Sequence, residues 1–409
     1  MINRKPNGSK PNPCAANIHP DGSVANRPSA QLGTPDYTVK SRGSRTNIPG
    51  RFEKSLSFYD PASLGDEDEP AATLKTQVFF EQARSIITRN QSPDVPFDYT
   101  INPYRGCEHG CSYCFARPTH SYLDLSPGLD FESKLFVKEN APQLLVKSLA
   151  NPNYRCQHFA LGANTDCYQP IEKQFALTRR ILEICLAFQH PVSIITKGAL
   201  LSRDLDLLIK LNQKQLVSVA VSVTTLDANL KVVMEPRAAG VQNRLNLIRE
   251  LVAHGIPVTV LVAPIIPKIN DNEIEAILAA VADLGVKHVG YVLLRLPYEL
   301  RDLFTDWLHT HFLEKANAVL SIMAACHQGD LYRAGFGVRQ RGSGQFAELI
   351  QQRFQIAAKK FGLNLQRALP RTPDRFAVPK DLENLLTLLP WQRQRQDRSK
   401  HKGDQLTLF

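Results

Sequence analysis

Residues 107–114 read CEHGCSYC, which sets Cys107, Cys111 and Cys114 at a C-x3-C-x2-C spacing. Closed zinc sites and ordinary iron–sulfur clusters take four protein ligands, so three thiolates in one tight loop leave one position over. The loop follows a β-rich run, FDYTINPY (97–104), where a dinucleotide-binding sheet would carry G-x-G-x-x-G. Its presence there argues against that sheet and for a barrel, in which functional groups gather on loops after the C-terminal ends of strands.

Outward from the loop, short apolar runs alternate with helical periods. The runs are HFALGANT (158–165), VSIITK (192–197), LVSVAVSVT (216–224), PVTVLVAPII (257–266) and HVGYVLLR (288–295). They are nearly continuous in apolar residues, as strands covered on both faces should be. Between them, Leu177, Ile181, Cys185 and Phe188 make one helical stripe, and Leu205, Leu208 and Ile209 follow Ser202 as N-cap. Leu245, Ile248, Leu251 and Val252 run to Gly255, and Ile274, Ile277, Leu278, Val281 and Leu284 run from Asn270 or Asp271 to Gly285. Strand and helix alternating six times predict an α/β fold, a partial (β/α)6 TIM-like barrel of parallel strands with right-handed crossovers.

The flanks read differently. Residues 1–60 are rich in Pro, Asn, Ser and Gly and predict a disordered basic arm, although VKSRGSRTNIPGRF (39–52) is able to order against the domain or a phosphate backbone. The barrel is expected over 75–300, a C-terminal helical extension covering its opening over 301–390, and a disordered basic tail over 391–409. Within the extension, YRAGFGVRQRGSGQF (332–346) interleaves arginines, aromatics and glycines, a pattern suited to a phosphate backbone and a stacked base or to a plain basic loop.

The chain has 49 Lys plus Arg against 39 Asp plus Glu, a net charge of +10. That suits a polyanionic partner such as DNA. No stretch approaches the roughly 18 uncharged apolar residues of a membrane span, and the polar start MINRKPNGSK has no apolar core of a signal peptide. The expected compartment is the cytoplasm, with no membrane partner. Eight cysteines in a chain this long, three of them too close together for mutual pairing, suit reduced thiols and a metal better than a disulfide framework, and Cys14, Cys156, Cys167, Cys185 and Cys326 have no paired spacing that would suggest a second cluster. Cys185 falls on a buried stripe, and Cys167 reads as a small packed residue near the mouth.

The cysteine spacing, with Tyr113 just before the third thiol, resembles the signature of the radical S-adenosylmethionine (SAM) superfamily. NPYRGCEHGCSYCFAR (102–117) and GANTDCYQPIE (162–172) are similar to segments of a subgroup related to spore photoproduct lyase, described as DNA repair photolyase-like; Ala163 and Cys167 depart from its pattern. The resemblance implies a 4Fe-4S cluster on Cys107, Cys111 and Cys114, with SAM on the fourth iron. One-electron cleavage would then give methionine and a 5′-deoxyadenosyl radical. It also implies an electron donor such as flavodoxin or ferredoxin.

Residues placed by these segments at the cofactor are Tyr113, Asn164, Thr165, Asp166, Lys197 at the end of VSIITK, Ser222 and Arg237 in MEPRA. Gln169 and Glu172 are further polar groups of the mouth. No catalytic residue is assigned. The alternatives are the same radical chemistry on RNA, protein or a small molecule, and a zinc-stabilised nucleic-acid-binding protein with His109 or His120 as fourth ligand. At the C-terminus, Gln405, Leu406, Leu408 and Phe409 match the Q-L-x-L-F pattern of peptides that bind the bacterial sliding clamp.

Overall fold

A computed structural model describes residues 41–52, 74–365 and 373–382. The strands are β1 (Gln77–Glu81), β2 (Ile87–Arg89), β3 (Tyr99–Ile101), β4 (Tyr104–Arg105), β5 (Lys134–Lys138), β6 (Phe159–Leu161), β7 (Val192–Thr196), β8 (Val217–Ser222), β9 (Val258–Ile265) and β10 (His288–Leu293). All six runs expected as strands form them. β3, β6, β7, β8, β9 and β10 lie side by side in that order, every neighbouring pair parallel. Strand order that follows chain order without reversal is single winding, so the sheet is a partial barrel and not a doubly wound sheet. β2 adds antiparallel to the free edge of β3.

Ile101, Leu161, Ile194, Val219 and Val258 line up in register across five of these strands, and all are buried. Helices α4 (Leu177–Ala187), α5 (Leu205–Gln213), α7 (Val241–Ala253) and α8 (Ile274–Asp283) carry the stripes read from sequence, and their apolar faces close one core with the sheet. Gly255 and Gly285 end α7 and α8 with positive φ, as expected of C′ glycines. The N-caps differ from expectation: short 3-10 turns at Ala199–Asp204 and Asp271–Glu273 precede α5 and α8, so Asp204 and Glu273 take the cap positions.

Between β3 and β6 the chain forms α1 (Leu129–Ser133) and α2 (Ala141–Leu149) and contributes to a second sheet of order β1, β5, β4. After β10, α9 (Leu300–His311) and α10 (Leu313–Cys326) pack as a hairpin over the cysteine loop: Phe304 and Trp307 share a buried cluster with Cys111, Tyr113, Met234 and Leu294. Helix α11 (Gln345–Lys360) departs from the expected lid. It lies on the outside, with Phe354 against Tyr291 of β10 at 4.7 Å and Arg353 on Glu275 of α8 at 2.7 Å, in the place of the sixth barrel helix.

The arm expected to be disordered is ordered over 41–52, where it runs as a strap against the cysteine loop. The reason is a set of buried polar partners that composition does not reveal. The remainder of the arm and the clamp-like peptide lie outside the described residues, as does Cys14.

Candidate functional site

The cysteine loop leaves β4 through Gly106 and turns at Gly110, which has φ +66. A β-carbon on Gly110 would lie 2.6 Å from the Glu132 carboxylate, so conformation and space both demand glycine. The loop is pinned along its length. Cys107 N–H donates to the Phe131 carbonyl at 2.9 Å, Ser112 N–H to Met234 at 3.0 Å, and Arg237 N–H to the His109 carbonyl at 3.2 Å. Gln169 bridges it to the β6 loop, its carboxamide oxygen accepting from Glu108 N–H at 2.9 Å and its nitrogen donating to the Gly106 carbonyl at 3.1 Å.

Beneath the loop, Arg117 is fully buried. Its guanidinium donates to the carbonyls of Cys111 at 2.9 Å and Gly128 at 3.0 Å and pairs with Glu132. The other face of Glu132 accepts the backbone N–H groups of Gly43 and Ser44, both at 2.9 Å. One buried ion pair thus joins strap, cysteine loop and α1. Arg42 adds a bond to the Glu132 carbonyl at 2.7 Å.

The residues expected at the cofactor fall into two groups. Thr165, Asp166 and Arg237 are engaged by the protein. Thr165 donates its hydroxyl to the Tyr104 carbonyl at 2.8 Å. Asp166 accepts from the Thr196 hydroxyl and the Lys197 N–H, both at 2.7 Å, and pairs with His109 at 3.3 Å. Burial alone would push its carboxyl up, but His109 and these donors outweigh it and hold the group at about 2. Arg237 pairs with Glu108 at 3.0 Å.

Asn164 and Lys197 form the second group. They are half-buried, and neither side-chain polar head makes a hydrogen bond or ion pair among the described residues. The Lys197 ammonium lies 5.8 Å from the centre of the Tyr113 ring. Ser222 is buried at the end of β8, where its carbonyl accepts from Arg244 at 3.1 Å. Glu172 and Gln169 are fully buried, Glu172 held by Tyr104, Thr178 and Arg203, so both act as framework.

Sequence reasoning missed a second buried carboxylate. Glu235, at the C-terminal end of α6 (Ala228–Met234), bonds the Tyr113 hydroxyl, accepts from Thr224 at 2.7 Å and pairs with Arg244. Burial opposes its charge, but Arg244 and Lys197 overcome that and hold it at about 2. The only sequence signal is its place in MEPRA, where the adjacent arginine drew the attention. Cys167 and Cys185 are wholly buried, as read, and Cys167 offers no surface to the mouth.

Burial, then Glu235, pushes the Cys111 thiol up to about 12, and burial likewise raises Cys107. Such thiols become thiolates when cationic metal compensates them. The His109 backbone N–H already bonds the Cys107 sulfur and Lys197 acts on Cys111, both favouring the anion. Among the described residues no group of three or more His, Cys, Asp or Glu gathers to hold a single ion. Three thiols spread around one loop fit a cluster in which each takes a separate iron. His120 turns Nε2 to the Lys134 carbonyl at 3.0 Å between Phe131 and Phe136.

The family model of the radical SAM superfamily matches residues 101–281, from the end of β3 to within α8. A protein of Methanocaldococcus jannaschii is 33% identical over 200 residues, which cover 49% of this chain and 71% of that protein. The chain belongs to the radical SAM superfamily. The superfamily comprises enzymes that use a 4Fe-4S cluster and SAM, and the matched span holds the whole cysteine loop. Proteins of Mycobacterium bovis and Mycobacterium tuberculosis are 42% identical over 216 residues, 52% of this chain, and the chain spans 64% of their length. Spore photoproduct lyase complexed with dinucleoside spore photoproduct superposes with TM-score 0.52 at 15% identity, over 73% of this chain and 85% of that one. At that identity the shared property is the superfamily's fold.

Proposed function

We propose that the protein is a radical SAM enzyme that carries one 4Fe-4S cluster on Cys107, Cys111 and Cys114, binds SAM at the remaining iron, and acts on DNA. The observation that carries this reading is the set of three buried or half-buried thiols at the C-terminal edge of six consecutively ordered parallel strands, beside two polar side chains that make no hydrogen bond or ion pair among the described residues. When bound, cluster and SAM supply one-electron cleavage of a carbon–sulfur bond and a 5′-deoxyadenosyl radical.

The chain's own residues position and shield. Lys197 and Asn164 offer an ammonium and a carboxamide to the carboxylate and hydroxyls of SAM. Asp166 fixes Lys197 by its backbone, and Arg237 holds Glu108, the loop's second residue. Tyr113 is oriented by Glu235 and backed by the α9–α10 hairpin, which keeps bulk water from that side of the loop.

Three observations support DNA as substrate: the net charge of +10, the clamp-like peptide at Gln405, Leu406, Leu408 and Phe409, and the fold shared with an enzyme solved with a dinucleoside photoproduct. A flavodoxin or ferredoxin would deliver the electron in the cytoplasm. Among the described residues no helix is long and apolar enough to cross a membrane.

Anaerobic reconstitution tests the class. Iron and sulfide should bind, and reduction in the presence of SAM should yield methionine and 5′-deoxyadenosine. A variant with Cys107, Cys111 and Cys114 all changed to Ala should lose iron and product together. A colourless, zinc-containing protein that yields no deoxyadenosine would overturn the reading.

A further inference from the structure

Among the described residues, most arginines around the mouth are paired with carboxylates; on the bridge Arg341 instead lies 4.0 Å over the Tyr291 ring. Arg117 holds Glu132, Arg237 holds Glu108, Arg244 holds Glu235 and Arg339 holds Asp94. Arg295, two residues beyond β10 on the cysteine-loop edge, makes no hydrogen bond or ion pair among the described residues. Its guanidinium lies 4.4 Å from the centre of the Phe115 ring. Phe115 follows Cys114 directly and is 44% exposed.

Arg295 is within electrostatic reach of Cys114 and also of Tyr332, Arg339 and Asp94. Those last groups belong to a bridge across the open edge of the barrel. The Gln340 carbonyl accepts from Leu293 N–H at 2.9 Å at the end of β10, while Gly337 N–H and Arg339 clasp Asp94 in the β2–β3 loop at 2.6 and 2.5 Å. On this bridge Phe336 is 57% exposed, with the Arg339 guanidinium 4.9 Å from its ring centre.

Arg339 is neutralised by Asp94 while Arg295 has no carboxylate partner among the described residues, and each guanidinium faces an exposed aromatic ring. Arg295 thus presents an unneutralised cation beside the exposed Phe115, and the exposed Phe336 lies on the adjoining bridge. Guanidinium forks match phosphate oxygens, and rings of this kind stack on bases of any sequence. A lipid headgroup or an acidic peptide would leave both rings uncovered.

We propose that Arg295 receives a backbone phosphate of a single-stranded or unstacked nucleic-acid segment whose bases lie on Phe115 and Phe336. The inference rests on the reading of the protein as a nucleic-acid enzyme and names the surface that would present the strand to the cysteine loop.

Fluorescence anisotropy on the anaerobically reconstituted full chain, with oligothymidylate and oligouridylate as probes over a salt series, tests it. Arg295→Ala should weaken binding about tenfold and lower the slope of log affinity against log salt by about 0.7. Arg295→Lys, which keeps the charge, should retain the slope. Phe336→Ala, at an exposed position that a fold does not depend on, should weaken binding about tenfold without altering the slope. Binding of either probe in this pattern supports the site, and the better-bound probe tells DNA from RNA. Wild-type binding that all three variants match would overturn the site and leave the nucleic-acid reading standing. A wild-type protein that binds neither probe would overturn that reading and the site with it.

Discussion

Gly43 of the strap lies directly on Gly110 of the cysteine loop: a β-carbon on Gly43 would stand 1.7 Å from the Gly110 carbonyl oxygen. The obstacle is backbone, so no rotamer change relieves it. Gly43→Ala should lower stability by about 1–3 kcal/mol through overpacking and reduce iron retained after gel filtration. Melting temperature and iron content unchanged from wild type would refute the contact.

The Arg117–Glu132 pair has neither partner exposed to solvent. Removing one partner strands a buried charge, so Glu132→Gln or Arg117→Met should each cost about 3–5 kcal/mol. Urea titration measures this. The double change should cost less than the sum of the single changes, and additive losses would show that the two residues act independently.

Lys197 and Asn164 have polar groups free for a ligand, whereas Thr165 is tied to the backbone of Tyr104. Lys197→Met and Asn164→Ala should each raise the SAM dissociation constant about tenfold, near the worth of one charge-assisted bond, with the cluster's visible absorbance retained. Equilibrium dialysis against labelled SAM reads the effect. Wild-type affinity in both variants would remove these residues from the cofactor site.

His190 is fully buried, with Nδ1 2.9 Å from the Pro191 carbonyl and Nε2 2.7 Å from the Tyr154 hydroxyl. A neutral ring satisfies both, donating from Nδ1 and accepting at Nε2. Burial holds it at about 4, below the usual histidine range near 6.5. The unfolded chain therefore takes up a proton first as pH falls, and stability is lost between about pH 6.5 and 4, by on the order of 3 kcal/mol from this group. His190→Gln should flatten that part of the stability profile; an unaltered profile would show that His190 does not set it.

Removal of the last five residues should abolish co-purification with the sliding clamp. Retained clamp binding would dismiss the peptide while leaving the cofactor chemistry untouched.

The barrel was legible because its signals are local and periodic: continuous apolar runs such as VSIITK and stripes such as Ile274, Ile277, Leu278 and Val281. The three thiols were legible because they sit within eight residues. What escaped depends on partners distant in sequence. Glu132 is 88 residues from Ser44, and Glu235 is 122 from Tyr113; no spacing pattern links either pair. Ordering of the strap against the domain was only one of two readings for the same reason, since a Gly- and Arg-rich segment looks solvated until a buried carboxylate is found to collect its N–H groups. The second sheet was missed because β4 has two residues and its mate β5 lies thirty positions on.

The clasp of Glu132 on Gly43 and Ser44 has a thermodynamic corollary. Linkage works in both directions, so whatever rigidifies the cysteine loop also raises the free energy needed to peel residues 41–52 away from it. Iron occupancy should then be readable as resistance to proteolytic nicking in the strap, giving an assay of cluster loading that needs neither colour nor turnover.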